Sequence, residues 1–265
     1  MRKPHTYKPI IEKIFFDAYQ GGENDVQFVR EDIERAAAEL KISLPKNLGD
    51  VVYSARYRAG LPESVLKTQP EGKEWIIQGQ GVAKYAFRLV PVNNISPSLN
   101  LLEIKIPDAT PEIVLAYSLT DEQAVLARVR YNRLIDIFLS CTAYSLQNHL
   151  RTTASGTGQI EIDELYVAVN KSGAQFVLPV QAKGGSDRLS TVQTMQDMRW
   201  CSEKYPHLIC RSVSAQFMKG NVIAMFELTL VDEEVRVVQE RHYRLVPWAE
   251  ITTDDLSRYR AVSHE

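Results

Sequence analysis

Cysteine is scarce in this sequence: Cys141, Cys201 and Cys210 are the only three in 265 residues, and no two form a CxxC pair. An odd count without paired spacing excludes a disulfide framework and points to reduced thiols. Zinc is poorly served as well, because Cys201, His207 and Cys210 have no fourth ligand at finger or ribbon spacing. No apolar run approaches the ~20 residues of a membrane span, and no apolar stretch follows Met1, Arg2 and Lys3 as it would in a signal peptide. A cytoplasmic protein that makes no use of membrane is expected. Walker A and GxSxG motifs, a paired-histidine ββα-metal arrangement and an HxK-x4-D run are also missing, which removes ATP-driven, serine-hydrolase and phosphohistidine chemistry. ATP is not an expected partner.

Nor is there an excess of charge of one sign. Lys and Arg number 31 against 33 Asp and Glu, a net of −2, which excludes a sequence-blind polycation but not local steering. Basic side chains gather at Lys41, Lys46, Arg56 and Arg58, and again at Arg128, Arg130 and Arg133; acidic ones gather at Glu161, Asp163 and Glu164. With 45% apolar and 24% charged residues the composition is that of an ordinary globular protein, long enough for one large domain or two modest ones.

The N-terminal part reads as three helices and a hairpin. Ile10, Ile11, Ile14 and Phe15 recur at helical spacing and stop at Gly21 and Gly22; a second helix runs from about Gln27 through Phe28, Val29, Ile33, Ala36 and Leu40; a third carries Leu48, Val51, Val52 and Ala55. Strand patterns from Glu74 to Gln78 and from Lys84 to Val90 then bracket Gly79 and Gly81. Three short helices and a terminal hairpin make a winged helix-turn-helix over residues 1–95, with the third helix in the major groove. Lys46, Asn47, Tyr53, Arg56, Arg58 and Lys84 are the candidate DNA-binding residues, although Arg56 and Arg58 are equally suited to a solvated helix end.

Pro91, Pro97, Pro107 and Pro111 mark a linker over residues 96–119, interrupted only by the strand-like stretch from Leu101 to Ile106. A long helix is expected from the capping-box spacing of Thr120 and Gln123, through Leu126, Val129, Leu134 and Phe138, towards Leu150. From Gln159 to Val169 the residues alternate as a strand; Asn170 to Gly173 is a turn; Gln175 to Lys183 returns as an apolar strand with a polar end. Side chains two apart share a strand face, so Glu161 goes with Asp163 and Gln181 with Lys183. Ser190 caps a helix carrying Val192, Met195, Met198 and Trp200, and strands follow from Leu208, Asn221 and Val235.

An acidic strand, a hairpin, an apolar strand ending in Gln181-Ala182-Lys183, a helix and a further strand resemble the PD-(D/E)XK nuclease superfamily over residues 120–218, in the Gln variant of its tripeptide seen in Mrr-like restriction nucleases. One strand of the αβββαβ core is not evident ahead of Gln159. The resemblance implies an α+β, mixed α/β chain: a winged helix-turn-helix domain followed, over residues 120–265, by a restriction-endonuclease-like mixed β-sheet domain flanked by helices. It implies a Mg²⁺ ion held by Asp163, the Gln181 oxygen and the Ala182 carbonyl, with Glu161 as a further ligand, and Lys183 beside the attacking water. Asp163, Gln181 and Lys183 are then the catalytic set, with Gln193 and Gln147 as second-tier candidates and Gln196 and Asp197 beside Gln193 on the same helix. The expected activity is restriction-type, Mg²⁺-dependent hydrolysis of double-stranded DNA by a homodimer, since two strands must be cut. Two rivals share these residues: a DNA-binding regulator or defence sensor with an inactive nuclease-like domain, and a junction-resolving or repair nuclease.

Overall fold

The structure, a computed structural model, describes residues 7–57, 59–91, 95–117, 122–154, 158–184, 189–232 and 234–262. The chain divides into two compact units, residues 1–93 with 152–160 and residues 94–151 with 161–265. No helix among the described residues is long and apolar enough to cross a membrane.

In the first unit the elements run α1 (Lys8–Ala18), β1 (Asp25–Val29), α2 (Arg30–Glu39), α3 (Gly49–Tyr57), α4 (Glu63–Leu66), β2 (Lys73–Gly79) and β3 (Lys84–Pro91). The expected second helix begins later than its apolar spacing suggested. Asp25 to Val29 alternate between exposed and buried as a strand, and the helix opens at Arg30, where the Asp32 carboxylate accepts the Val29 N–H at 2.8 Å. The three strands form an antiparallel sheet in the order β1-β3-β2. Ile10, Ile14, Phe15, Ile33, Val51, Trp75 and Phe87 close the core, with the Phe15 ring edge-on to both Trp75 and Phe87 at 5.1 Å.

The second unit holds β4 (Glu103–Pro107), α5 (Glu112–Tyr117), α6 (Glu122–Tyr131), α7 (Leu134–Leu139), β5 (Thr142–Ala154), β6 (Gly158–Val169), β7 (Gln175–Lys183), α8 (Thr191–Lys204), β8 (Ile209–Cys210), β9 (Ser212–Met218), β10 (Val222–Val231), β11 (Glu234–Val246) and α9 (Thr253–Val262), the β5 and β6 strands extending into residues grouped with the first unit. Two expectations are corrected here. The stretch 96–119 is no linker: β4 lies in the large sheet, parallel to the His242–Val246 end of β11, and α5 follows it. The single long helix is two short helices and a strand, because Arg133 and Ser140 adopt left-handed backbone (φ 51° and 52°) and end each helical run. The strand that follows, β5, lies where helix is expected to continue towards Leu150. Thr120 and Asp121, expected to open that helix, lie outside the described residues.

The sheet order is β4-β11-β10-β9-β7-β6-β5, with β8 paired to β7. β7 and β9 are parallel neighbours; β6 is antiparallel to β7, and β10 is antiparallel to both β9 and β11. Val125, Leu126, Val129, Leu134 and Ile135 of α6 and α7 pack against Val180, Ala182, Val213, Ala215, Ile223 and Met225. Ala224 and Phe226, of opposite parity on β10, pack instead with Leu189 and with Met195 of α8. Helices therefore cover both faces of a mixed sheet.

Candidate functional site

Antiparallel pairing sets Glu164 opposite Val180, and one step further along, Asp163 Oδ2 accepts the Ala182 N–H at 3.0 Å. Because Val180 and Ala182 face the α6 and α7 core, alternation sends Gln181 to the other face of the sheet. There α8 meets it. Ser190 caps α8, its hydroxyl accepting the Gln193 N–H at 3.2 Å, and the helix buries Gln193, Thr194, Gln196, Asp197 and Cys201. Gln181 Nε2 donates to Asp197 Oδ2 at 2.6 Å, and Gln193 Nε2 donates to the Glu161 carbonyl at 3.0 Å. At the end of β7, Lys183 Nζ donates to Glu122 Oε1, in the first turn of α6, at 2.7 Å.

The cluster is dry. Gln181 is 1% exposed and Asp197 0%, and the Gln181 Oε1 and Asp197 Oδ1 atoms are buried with no hydrogen-bond partner among the described residues. Burial lifts the Asp197 carboxyl well above the ordinary carboxylate range; the hydrogen bond from Gln181 pulls the other way, and the charge of Asp163 adds to the rise. Burial also raises Asp163, opposed by the Ala182 N–H and by Lys183 and reinforced by Glu122 and Glu161. Two orphaned oxygens beside two carboxyl groups are costly in an apolar setting without a cation or proton to share them.

The donor set suits a hard divalent cation such as Mg²⁺, which is held by one or two carboxylates and keeps several waters. Asp163 and Asp197 offer carboxylate oxygens and Gln181 an amide oxygen. Among the described residues no three His, Cys, Asp or Glu side chains form a group that could hold a metal ion, and a third protein donor here would have to be the Gln181 amide.

Other anticipated residues are placed as follows. Ala182 is buried in the core, its N–H on Asp163. The Glu161 carboxylate lies with Arg151 at 3.3 Å and His149 at 3.7 Å. Glu164 is buried on the opposite face, paired with Arg130 and accepting the Tyr166 hydroxyl at 2.5 Å. Gln147, expected at a helix end, is an exposed residue of β5. In the first unit Lys46 and Lys84 are exposed, and Tyr53 and Arg56 are half-buried on α3. Asn47 closes the start of α3, accepting the Gly49 N–H at 3.2 Å and donating to Asp50 at 3.0 Å. Arg58 lies outside the described residues.

Glu122 escaped the sequence reading because its position inside a capping-box spacing gave it a local role. Asp197 ranked below Gln181, yet it shares with Thr194 and Cys201 the three- and four-residue spacing of a buried helix face, where an acid is out of place.

The chain matches no family model, no curated protein and no solved structure.

Proposed function

We propose that this chain is a Mg²⁺-dependent, restriction-type DNA endonuclease of the PD-(D/E)XK kind. The observation that carries the reading is the convergence of Asp163, Gln181, Lys183 and Asp197 at one end of adjacent strands. They stand within the succession α6/α7, β5, β6, β7, α8, β8, β9, which follows the αβββαβ order expected of that core apart from the two-residue β8. Asp197 supplies from the helix the carboxylate that Gln181 lacks.

Phosphodiester hydrolysis needs an activated water, neutralised charge at phosphorus and help for the departing oxygen. Mg²⁺ bound by Asp163, Asp197 and Gln181 would supply Lewis acidity at the phosphate. Lys183, oriented by Glu122, would hold the attacking water and stabilise its developing hydroxide. Gln193, through the Glu161 carbonyl, fixes α8 against β6 and so fixes where Asp197 reaches. The order α1, β1, α2, α3, α4, β2, β3, with α4 a single turn, and the sheet order β1-β3-β2 support the winged-helix reading of the first unit, with α3 and the β2–β3 hairpin on DNA. A homodimer would cut both strands of a symmetric site. Three unpaired cysteines suit work in the cytoplasm.

The test is incubation of the full chain with unmethylated phage DNA and Mg²⁺. Discrete fragments that vanish in Asp163→Ala and Lys183→Ala support the proposal. Cutting that survives both substitutions sinks this site, and footprinting on a specific sequence without Mg²⁺ binding or cleavage favours the regulator reading.

A further inference from the structure

Next to the candidate site the second unit carries a surface groove of about 980 Å³ that the proposed chemistry does not use. The sheet register sets it beside Lys183. β7 and β9 run parallel with Lys183 level with Gln216, and Gln216, Phe217, Met218 and Lys219 follow one another along the groove. Neighbouring strands lie about 4.8 Å apart, so a polymer passing Lys183 reaches this lining within one strand spacing. Leu99, ahead of β4, and Leu245 and Pro247, at the end of β11, make the rest of the lining largely apolar.

The groove is open, aromatic and cationic. Leu99 is 92% exposed, and Trp248, which opens the single 3-10 turn between the lining residues Pro247 and Glu250, is 67% exposed, whereas Trp75 and Trp200 are buried. An indole left in water withholds a large apolar area that a flat partner can cover. Lys219, in the turn between β9 and β10, has no ionic partner among the described residues, while Arg244 is held by Glu103.

We propose that this groove holds a short unpaired stretch of the DNA strand being cut, its bases on Trp248 and the apolar lining and a phosphate on Lys219. Inside a duplex each base face is covered by its neighbours, so exposed aromatic and apolar side chains gain base contacts only from a strand that has left the stack. The volume is that of a site for a compact ligand, enough for a few nucleotides. A second copy of the chain would cover the apolar lining but bring Lys219 no assigned counter-charge, whereas every nucleotide brings a phosphate. Binding of the strand stands on the groove alone; its position beside the cut rests on the nuclease reading.

The full chain, kept in a chelator so that nothing is cut, is titrated with a fluorescein-labelled oligothymidylate of about 12 nucleotides. Anisotropy should show binding that Trp248→Ala weakens about five- to a hundredfold, the usual effect of removing one stacking side chain. Lys219→Ala should lower the salt slope by about 0.7, the share of one phosphate on a single strand. Both side chains are exposed, so neither substitution opens the core. Because Trp75 and Trp200 are buried, unlabelled oligonucleotide should quench tryptophan emission in the unaltered chain and leave it unchanged in Trp248→Ala. Absence of binding, or an unchanged affinity in Trp248→Ala, or an unchanged salt slope in Lys219→Ala, would overturn the proposal. A dimer that Trp248→Ala dissociates without any effect on the oligonucleotide would give the groove to a second copy instead. With Mg²⁺, a duplex carrying an unpaired thymidine tract should be cut about tenfold faster than the same duplex fully paired, a preference lost in Trp248→Ala. Equal cutting of the two duplexes overturns the placement beside the cut. Binding that depends on Trp248 and Lys219 in a chain that cuts neither duplex supports the groove and overturns the nuclease reading.

Discussion

Gln181 donates its side-chain amide to Asp197 across 2.6 Å, so a strand amide and a carboxylate from the following helix form one buried unit. An acid at position 181 would set two carboxylates at that separation, where both cannot stay ionised. The amide is therefore the side chain that lets α8 bring a carboxylate to this strand.

The Gln181→Glu chain should consequently lose stability without metal and regain it with metal. Loss of a buried hydrogen bond to a charged group costs about 1 to 3 kcal/mol. Thermal unfolding in mildly alkaline buffer, with and without Mg²⁺, reads both effects. An unchanged metal-free midpoint would show that Gln181 and Asp197 are not coupled.

The pH dependence of stability follows from Asp163 and Asp197, both raised in the folded chain above the ordinary 3.8. Such groups contribute stability that is fully present below the unfolded value and is lost as pH rises through the folded one. Without metal, denaturant midpoints should fall with rising pH above about 4, and Asp197→Asn should flatten that fall. Mg²⁺ bound as proposed would compete with these protons, so its stabilisation should grow with pH. A steeper pH dependence in Asp197→Asn contradicts the assignment.

Lys183 lowers the Asp163 pKa and Glu122 raises it. Lys183→Ala should therefore shift the Asp163 carboxyl titration upward, and Glu122→Gln should shift it downward; carboxyl-carbon NMR follows both. In cleavage assays Lys183→Ala should cost about a hundred- to a thousandfold in rate. Shifts of the same sign in the two variants would separate Glu122 from the site.

Lys46→Ala and Lys84→Ala should each weaken duplex binding evenly across sequences and reduce the salt slope by about 1, as removal of a phosphate contact does. Arg56→Ala, if it reads a base edge, should cost about 1 to 3 kcal/mol on the preferred site only. Anisotropy titrations over a range of salt distinguish these outcomes. An unaltered slope for both lysines would take α3 and the β2–β3 hairpin off the DNA.

The elements whose boundaries are chemical were legible: Ser190 ahead of α8, the turn between β6 and β7, and the stretches read as strands at β10 and β11. Two strands were not. Val26 and Phe28 of β1 sit at a spacing that also suits a helix running on to Ile33, and only the pairing with β3 decides between them. The ends of α6 and α7 fall on Arg133 and Ser140, side chains that do not announce a left-handed backbone as glycine would. At the candidate site, it is the family resemblance that singles out Asp163, Gln181 and Lys183 in the sequence. The partnership of Gln181 with Asp197 and of Lys183 with Glu122 is tertiary, joining residues 16 and 61 positions apart, and no local pattern encodes it.

The pairing of β4 with β11 has a kinetic consequence. These are the first and last strands of the large sheet along the chain, yet they are neighbours, and Lys105 of β4 is tied to α9 through Asp255 at 3.0 Å and the Tyr259 hydroxyl at 2.9 Å. A nascent chain on the ribosome can assemble β5 to β10 while β4 waits, unpaired, for β11 to emerge. Contacts of such sequence separation slow folding and leave a strand edge open to other chains meanwhile.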